Sequence, residues 1–436
     1  MLKRWKARLV VRRSLNPPST FLGTLLKHIR SGASVVVDDR RAFAATFVLV
    51  LAAKLALSAL APASSDLGVM LLQGQSLGGP WILGIDGIVK VWASVTGMDP
   101  SVWVSSPPSL APGLLFLGLL VRLPTLVFDI GVAGALYLVA RQIGAPARLA
   151  RLTCLAWLLN PYATFAVEMI GVPDVAAVFL TIIMALFLLR KKPVYAGIAL
   201  ALGTALKLYP ILLLPMALAY TEQIRTAARA RVFLVVASLL GLFAYLAWLF
   251  QGNPSNTRLL LEYTPVTQPI NSLLTFGTEI GVSVTAVALI VTCYVAWIYA
   301  EKREVSIVES VLPVLLVYYA FSSLYPQYLL WALPFLTLDV IVHRRHVGLL
   351  SLLLALMFGW SFLYSGAYLN YAGYSLLFFP LQGPHLPWYS QMMNSFLNYP
   401  ATPVLIPAFL RAGLSAAAFV YALTFFRNWV RLPVPS

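Results

Sequence analysis

The sequence predicts an all-α polytopic membrane protein with about ten transmembrane crossings, one re-entrant helical hairpin and a long first non-cytosolic loop carrying interfacial helices. Three observations predict it. Hydrophobic residues make up 60% of the 436-residue chain and charged residues 11%, against about 25% charged in soluble domains, and the mean hydropathy is +0.84. Apolar runs approaching the roughly 20 residues that cross a bilayer recur along the chain. Between them, Lys and Arg gather on alternate connections, the pattern that fixes orientation in a membrane. The net charge of +16 therefore reads as topology, with membrane lipids and not nucleic acid as its partner.

Residues 1–41 hold ten Lys or Arg against two acids, Asp38 and Asp39. No apolar h-region with a small-residue cleavage site follows closely, so the segment reads as a cytosolic basic arm on anionic lipid rather than a signal peptide. The first span is placed at 42–62, with Lys54 inside it. Further spans are expected at 124–140, 150–166 and 173–189, the last two separated by the NP and GVPD breaks. The run 194–220 has basic flanks on both sides and is broken near its middle by KLYP. Two half-helices dipping in and out fit it, because broken helices persist at depth only where protein buries them or a cavity receives them. Spans at 232–250, 279–299, 306–324, 327–341, 347–366 and 403–426 complete the set.

With the N-terminus in the cytosol, 25 of the 31 basic residues fall on the cytosolic side, and both termini are cytosolic. Lys90, Arg122, Arg258 and Arg411 are left for the other face. Asp66, Asp86, Asp99, Glu168, Asp174, Glu262 and Glu279 lie at or near that same face, so an outward-facing acidic cavity is expected. The chain divides into the arm at 1–41, a membrane module at 42–340, and C-terminal helices at 341–436 with an aromatic non-cytosolic loop. The compartment is the plasma membrane in a prokaryote and the endoplasmic reticulum in a eukaryote.

The first outer loop, 63–123, is too long for a plain connection. Trp81, Ile82, Ile85, Ile88, Val89 and Trp92 recur at helical spacing and predict an amphipathic interfacial helix. Asp86 sits four residues before Lys90, the spacing of a surface ion pair. Asp99 before Pro100 reads as a helix N-cap. Asp66, in ASSDLGVM, has no basic residue within ten positions after it; it is either the cap of a short helix or a carboxylate free for chemistry. Cys154 and Cys293 sit in apolar runs and form neither a CxxC motif nor a disulfide framework. His343 and His346 flank a basic turn and read as solvated, and His385 falls in an aromatic belt. No phosphate-binding GxxxxGK[ST] loop is present. No cofactor is required by any motif, and a divalent metal stays open.

The stretch from Asn160 to Pro210 organises the rest. It sets Glu168 and Asp174 at one end of an apolar run, Arg190, Lys191 and Lys192 at the other, and Lys207 alone inside the next run. A charge at bilayer depth costs at least about 2.5 kcal/mol, so it marks a cavity or a partner. LNPYATF, GVPD and RKKPVYAGIALALGTALKLYPILLLP in this stretch, SSLYPQYLLWALPFL at 322–336 and SPPSLAPGLLFL at 106–117 resemble the membrane-embedded glycosyltransferases of the C superfamily. The likeness is greatest to the branch of the glycosylphosphatidylinositol mannosyltransferase catalytic subunit and its prokaryotic relatives.

That resemblance implies inverting transfer of a sugar, mannose in this branch, from a polyprenyl-phosphate donor to a lipid-linked or protein acceptor on the non-cytosolic face, with a first-loop Asp as base. Asp66 holds that place, although it is followed by Leu67 and Gly68 where the branch often shows a D-x-D pair. Lys207 and Arg258 are the candidates to bind the donor phosphate, with Asp174 or Glu168 as the alternative, purely structural partner of Lys207. Asp86, Glu168, Asp174, Tyr325, Gln327, Tyr328 and Trp331 are expected to line the cavity. A secondary transporter or lipid flippase would also have broken helices and buried charges; the lack of an internal repeat and the clustering of acids toward one face weigh against it.

Overall fold

The computed structural model describes residues 36–60, 81–97, 112–221, 227–251, 273–276, 280–302, 306–321, 326–343, 346–364 and 402–431. The chain falls into two units, Met1–Leu49 and Val50–Ser436. Helices carry almost all of the described residues. The exception is a two-stranded antiparallel ribbon of β1 (Leu273–Phe276) and β2 (Ile280–Ser283), with Leu273 opposite Ser283. Among the described residues, four helical stretches are long and apolar enough to cross a membrane: Arg40–Leu60, Leu115–Gln142, Ala227–Ala247 and Phe409–Arg427. The remaining expected spans, except 150–166, include apolar helices of 10–17 residues, so among the described residues length alone supports four of the ten crossings. Large apolar side chains point outward, Leu49, Phe243 and Phe409 being 70%, 70% and 74% exposed, as a lipid-facing surface requires.

In chain order, α1 (Arg40–Leu60) is followed by α2 (Trp81–Thr96), the expected amphipathic helix. Its Val89 and Trp92 are buried while Val91 and Val95 face out. The next helix, α3 (Pro112–Gln142), corrects the expectation of a span beginning at Pro124. The apolar run from Leu114 continues straight through that proline, and Pro112 supplies the preorganised first turn. Within α3, Thr125 Oγ1 donates to the Arg122 carbonyl at 2.7 Å.

The expected span 150–166 is also interrupted. Helix α4 (Ala147–Leu158) stops short of Asn160, whose side chain accepts from the backbone N–H groups of Tyr162 and Ala163 and so caps the four-residue α5 (Pro161–Thr164). A π-helical segment, Phe165–Ile170, follows and closes at Gly171 with φ of +79°, a left-handed conformation that favours glycine. Pro173 then precedes α6 (Asp174–Leu189), which GVPD opens as the sequence indicates.

Helix α7 (Pro193–Leu206) ends at Lys207, whose extended backbone breaks the helix before a 3-10 turn, Tyr209–Leu213, and α8 (Leu214–Thr221). Helix α9 (Ala227–Gln251) then packs along α7. Gly197 abuts Phe233 and Leu234, and Gly241 abuts the Ala201 backbone, so the two helices run in the same direction and start at the same end. Glycine at 241 permits the approach, because any Cβ there would meet the Ala201 carbonyl.

Helix α10 (Val284–Lys302) begins five residues later than its expected span, because β2 takes up the preceding segment. It packs on α11 (Ile307–Phe321), and a 3-10 turn at Pro326–Leu330 leads into α12 (Leu333–Val342). Helices α13 (Val347–Tyr364) and α14 (Thr402–Arg431) pack on each other, and α14 also packs on α11.

Candidate active site

Two groups of buried charge are built around the π-helical segment and the turn after it. The first joins three helices. Lys54 of α1 places Nζ 3.0 Å from Asp129 Oδ2 and 2.9 Å from Glu168 Oε2, all three side chains being almost wholly enclosed. Trp157 of α4 donates Nε1–H to Asp129 Oδ1 at 2.9 Å. Arg122, fully buried, donates to the Ser58 carbonyl at 3.2 Å and the Met169 carbonyl at 3.1 Å, tying the last turn of α1 to the end of the π-helical segment. Lys54 and Arg122 balance Asp129 and Glu168, so this group carries its charge with little surface of its own.

The second group lies at the break after α7. Lys207 Nζ is 3.2 Å from Asp174 Oδ2, with the lysine side chain 22% exposed and the aspartate 1%. Trp331 donates Nε1–H to Asp174 Oδ1 at 3.0 Å. The Trp331 ring stacks on Tyr209 at 4.1 Å and meets Tyr328 at 4.4 Å and Tyr318 at 5.6 Å. Tyr209 in turn shares a 3.1 Å hydrogen bond with Thr181. Tyr319 fixes the 3-10 turn from below by donating to the Tyr328 carbonyl at 2.6 Å and accepting from Ala332 N–H at 2.9 Å. An indole, three phenols, a carboxylate and an ammonium thus converge from α6, the break after α7, α11 and the turn before α12. The rings are buried against one another, and the partly exposed ammonium of Lys207 is the member of the group suited to meet an anion.

Of the expected site residues, the structure brings Asp174, Lys207, Tyr328 and Trp331 together, with Gln327 half-buried on the same turn. Glu168 is enclosed beside Lys54 instead. Asp66, Tyr325 and Arg258 lie outside the described residues, as do Asp99, Glu262, Glu279 and His385; α2 includes Asp86, but that side chain also lies outside them. Arg122, which the charge pattern leaves for the outer face, is buried between helices. The reading of His343 and His346 as solvated is also corrected. Their Nδ1 atoms lie 3.3 and 3.2 Å from the oxygens of the buried Asp339, to which Tyr421 donates at 2.8 Å. Asp129 and Asp339 escaped sequence reasoning. Asp129 is seven residues past Arg122 and so on the same helical face, a spacing that could have exposed it.

Among the described residues no group of three or more His, Cys, Asp or Glu is placed to hold a metal ion. An apolar groove of about 500 Å³ between α2 and α3, lined by Ile88, Trp92, Phe116 and Leu120 among others, includes none of the candidate residues.

Residues 100–323 match the sequence profile of glycosyltransferase family 87. The chain belongs to glycosyltransferase family 87. The match covers half of the sequence and includes α3 to α11, hence Asp129, Glu168, Asp174 and Lys207. A comparison with curated proteins finds no match to the chain. Family membership makes the protein a glycosyltransferase, and its long apolar helices place it in a membrane.

Proposed function

We propose that this family 87 enzyme transfers a sugar, mannose in the first instance, from a polyprenyl-phosphate donor to a lipid-linked or protein acceptor on the non-cytosolic face of the membrane. The observation that carries the reading is the Lys207, Asp174 and Trp331 constellation, a partly exposed cation beside a carboxylate and buried aromatic rings at the break of an apolar run. A lipid-borne sugar phosphate reaches such a depth naturally, whereas a soluble sugar nucleotide does not. The likeness of residues 42–340 to the glycosylphosphatidylinositol mannosyltransferase branch supports the same donor class, and the basic arm and C-terminal helices flank that module in a scaffold of about ten crossings.

In the proposed reaction the acceptor hydroxyl oxygen attacks the anomeric carbon from the face opposite the phosphate. The carbon–oxygen bond to phosphate breaks, its electron pair leaves with polyprenyl phosphate, and Asp66 takes the hydroxyl proton. Configuration inverts. Lys207 and Arg258 offset the negative charge that builds on the leaving oxygen, and Tyr325, Gln327, Tyr328 and Trp331 line the sugar's path, with Asp86, Glu168 and Asp174 around it.

The test uses membrane vesicles containing the overproduced protein and their own acceptors, supplied with radiolabelled polyprenyl-phosphate sugars or with sugar nucleotides. To block conversion between the two pools, the vesicles come from cells lacking polyprenyl-phosphate sugar synthases. Label should pass to acceptor from a polyprenyl-phosphate sugar alone. Transfer from a sugar nucleotide alone would overturn the donor assignment.

A further inference from the structure

The pairing of Lys207 with Asp174 looks at first like a reason to remove Lys207 from the reaction, since a lysine already neutralised has no charge to spare. The geometry around Asp174 argues otherwise. Its carboxylate has two other sources of stabilisation: the indole N–H of Trp331 on Oδ1 at 3.0 Å, and the N-terminus of the 16-residue α6, of which Asp174 is the first residue. Positive partial charge at a helix start favours an anion there. Lys207 follows the C-terminal end of α7, where a cation is favoured, but its side chain is not enclosed as that of Asp174 is. It sits past the last turn of α7 in extended backbone, φ −150° and ψ 141°, and is the more exposed member of the pair.

We infer that Asp174 is a resident counter-ion which holds Lys207 in the free enzyme and yields it to the donor phosphate on binding. The inference rests on the donor class proposed above and adds what that reading lacks, a reason for an acid at the phosphate site. Asp174 is then a positioning residue. It keeps the lysine charged and held at the break, and it sets the threshold an anion must exceed to claim it. Trp331 sets that threshold in its turn, because the more firmly its N–H satisfies Oδ1, the less the carboxylate depends on Lys207. Tyr245 of α9 lies within electrostatic reach of both partners.

A double-mutant cycle on binding tests this without any knowledge of the sugar. The probe is a short-chain polyprenyl phosphate titrated into the detergent-solubilised full chain. Asp174→Asn should tighten the probe by roughly three- to tenfold, the affinity regained when about 10 to 30% availability of the lysine becomes complete. Lys207→Met should weaken it. In the Lys207→Met background, Asp174→Asn should have no further effect, because the benefit passes through the lysine. Equal tightening in both backgrounds would show only relief of charge repulsion and would overturn the inference, as would no tightening in the parent.

Should Asp174→Asn fail to fold, Trp331→Phe serves in its place. It keeps the stacked ring and removes the N–H, so it should weaken binding in the parent and leave binding unchanged in Lys207→Met. An equal loss in both would overturn the exchange. Absence of probe binding to the parent protein would reject the donor class and the inference together, whereas binding with a flat cycle would reject the inference alone.

Discussion

Lys54 shows what a single side chain decides in this protein. It is the one cation within reach of both Asp129 and Glu168 among the interactions described, at 3.0 and 2.9 Å, and all three are enclosed. Removing one partner of a buried ion group leaves the others uncompensated, at a cost of about 3 to 5 kcal/mol. Lys54→Met should therefore sharply lower the thermal unfolding temperature in detergent, and adding Glu168→Gln should recover part of the loss. Unchanged unfolding would show that the group contributes nothing to stability. Sequence reading places Lys54 inside the first span but does not show what it touches. The partners, Asp129 and Glu168, sit on α3 and the π-helical segment, and a charge inside an apolar run reports its expense without reporting what it touches. Lys207 was the easier case: Asp174 and Glu168 were the two candidates for its partner, and geometry chose Asp174.

At the scale of an element, breaks were more legible than lengths. NP, GVPD and KLYP each mark a boundary because Asn caps, Pro removes a donor and Gly accepts positive φ. Each is a boundary in the structure. Length failed at Pro124, where a proline was read as a start although the helix passes through it. The end of α6 permits a prediction. Its carbonyls are closed by Lys191 N–H to Leu188 O at 2.9 Å and Lys192 N–H to Phe187 O at 2.8 Å, and Lys191 takes φ of +57° to make both. A glycine adopts that conformation without the cost of about 1 kcal/mol paid by a side chain. Lys191→Gly should raise unfolding stability by about 0.5 to 1 kcal/mol, measured in detergent against the parent. A decrease would show that the lysine's charge matters more than its backbone.

The whole molecule was legible as a class before any motif was read, since a chain with 11% charged residues cannot dress a soluble surface of this size. Its crossing number was less so. Apolar helices of 10–17 residues fall short of the roughly 30 Å hydrocarbon span at 1.5 Å per residue, and only their neighbours can extend or tilt them. Charge asymmetry gives the orientation a direct check. In a variant with Cys154 and Cys293 replaced, single cysteines from Asp99→Cys and Asn256→Cys should react with an impermeant thiol reagent added outside intact cells or right-side-out vesicles. A cysteine from Arg303→Cys should not. The reverse pattern would place the first loop in the cytosol and remove the basis for Asp66.

Asp66 is where these scales meet, since the proposed topology puts it on the outer face and the proposed chemistry requires a base there. The measurement is the rate of sugar transfer from a polyprenyl-phosphate donor by Asp66→Asn against the parent, in vesicles with matched protein levels. Asparagine preserves size and capping ability while removing basicity, so a purely structural Asp66 should tolerate it. The account predicts a fall of about 100-fold or more, with Asp86→Asn milder. Transfer at the parental rate in Asp66→Asn would contradict it.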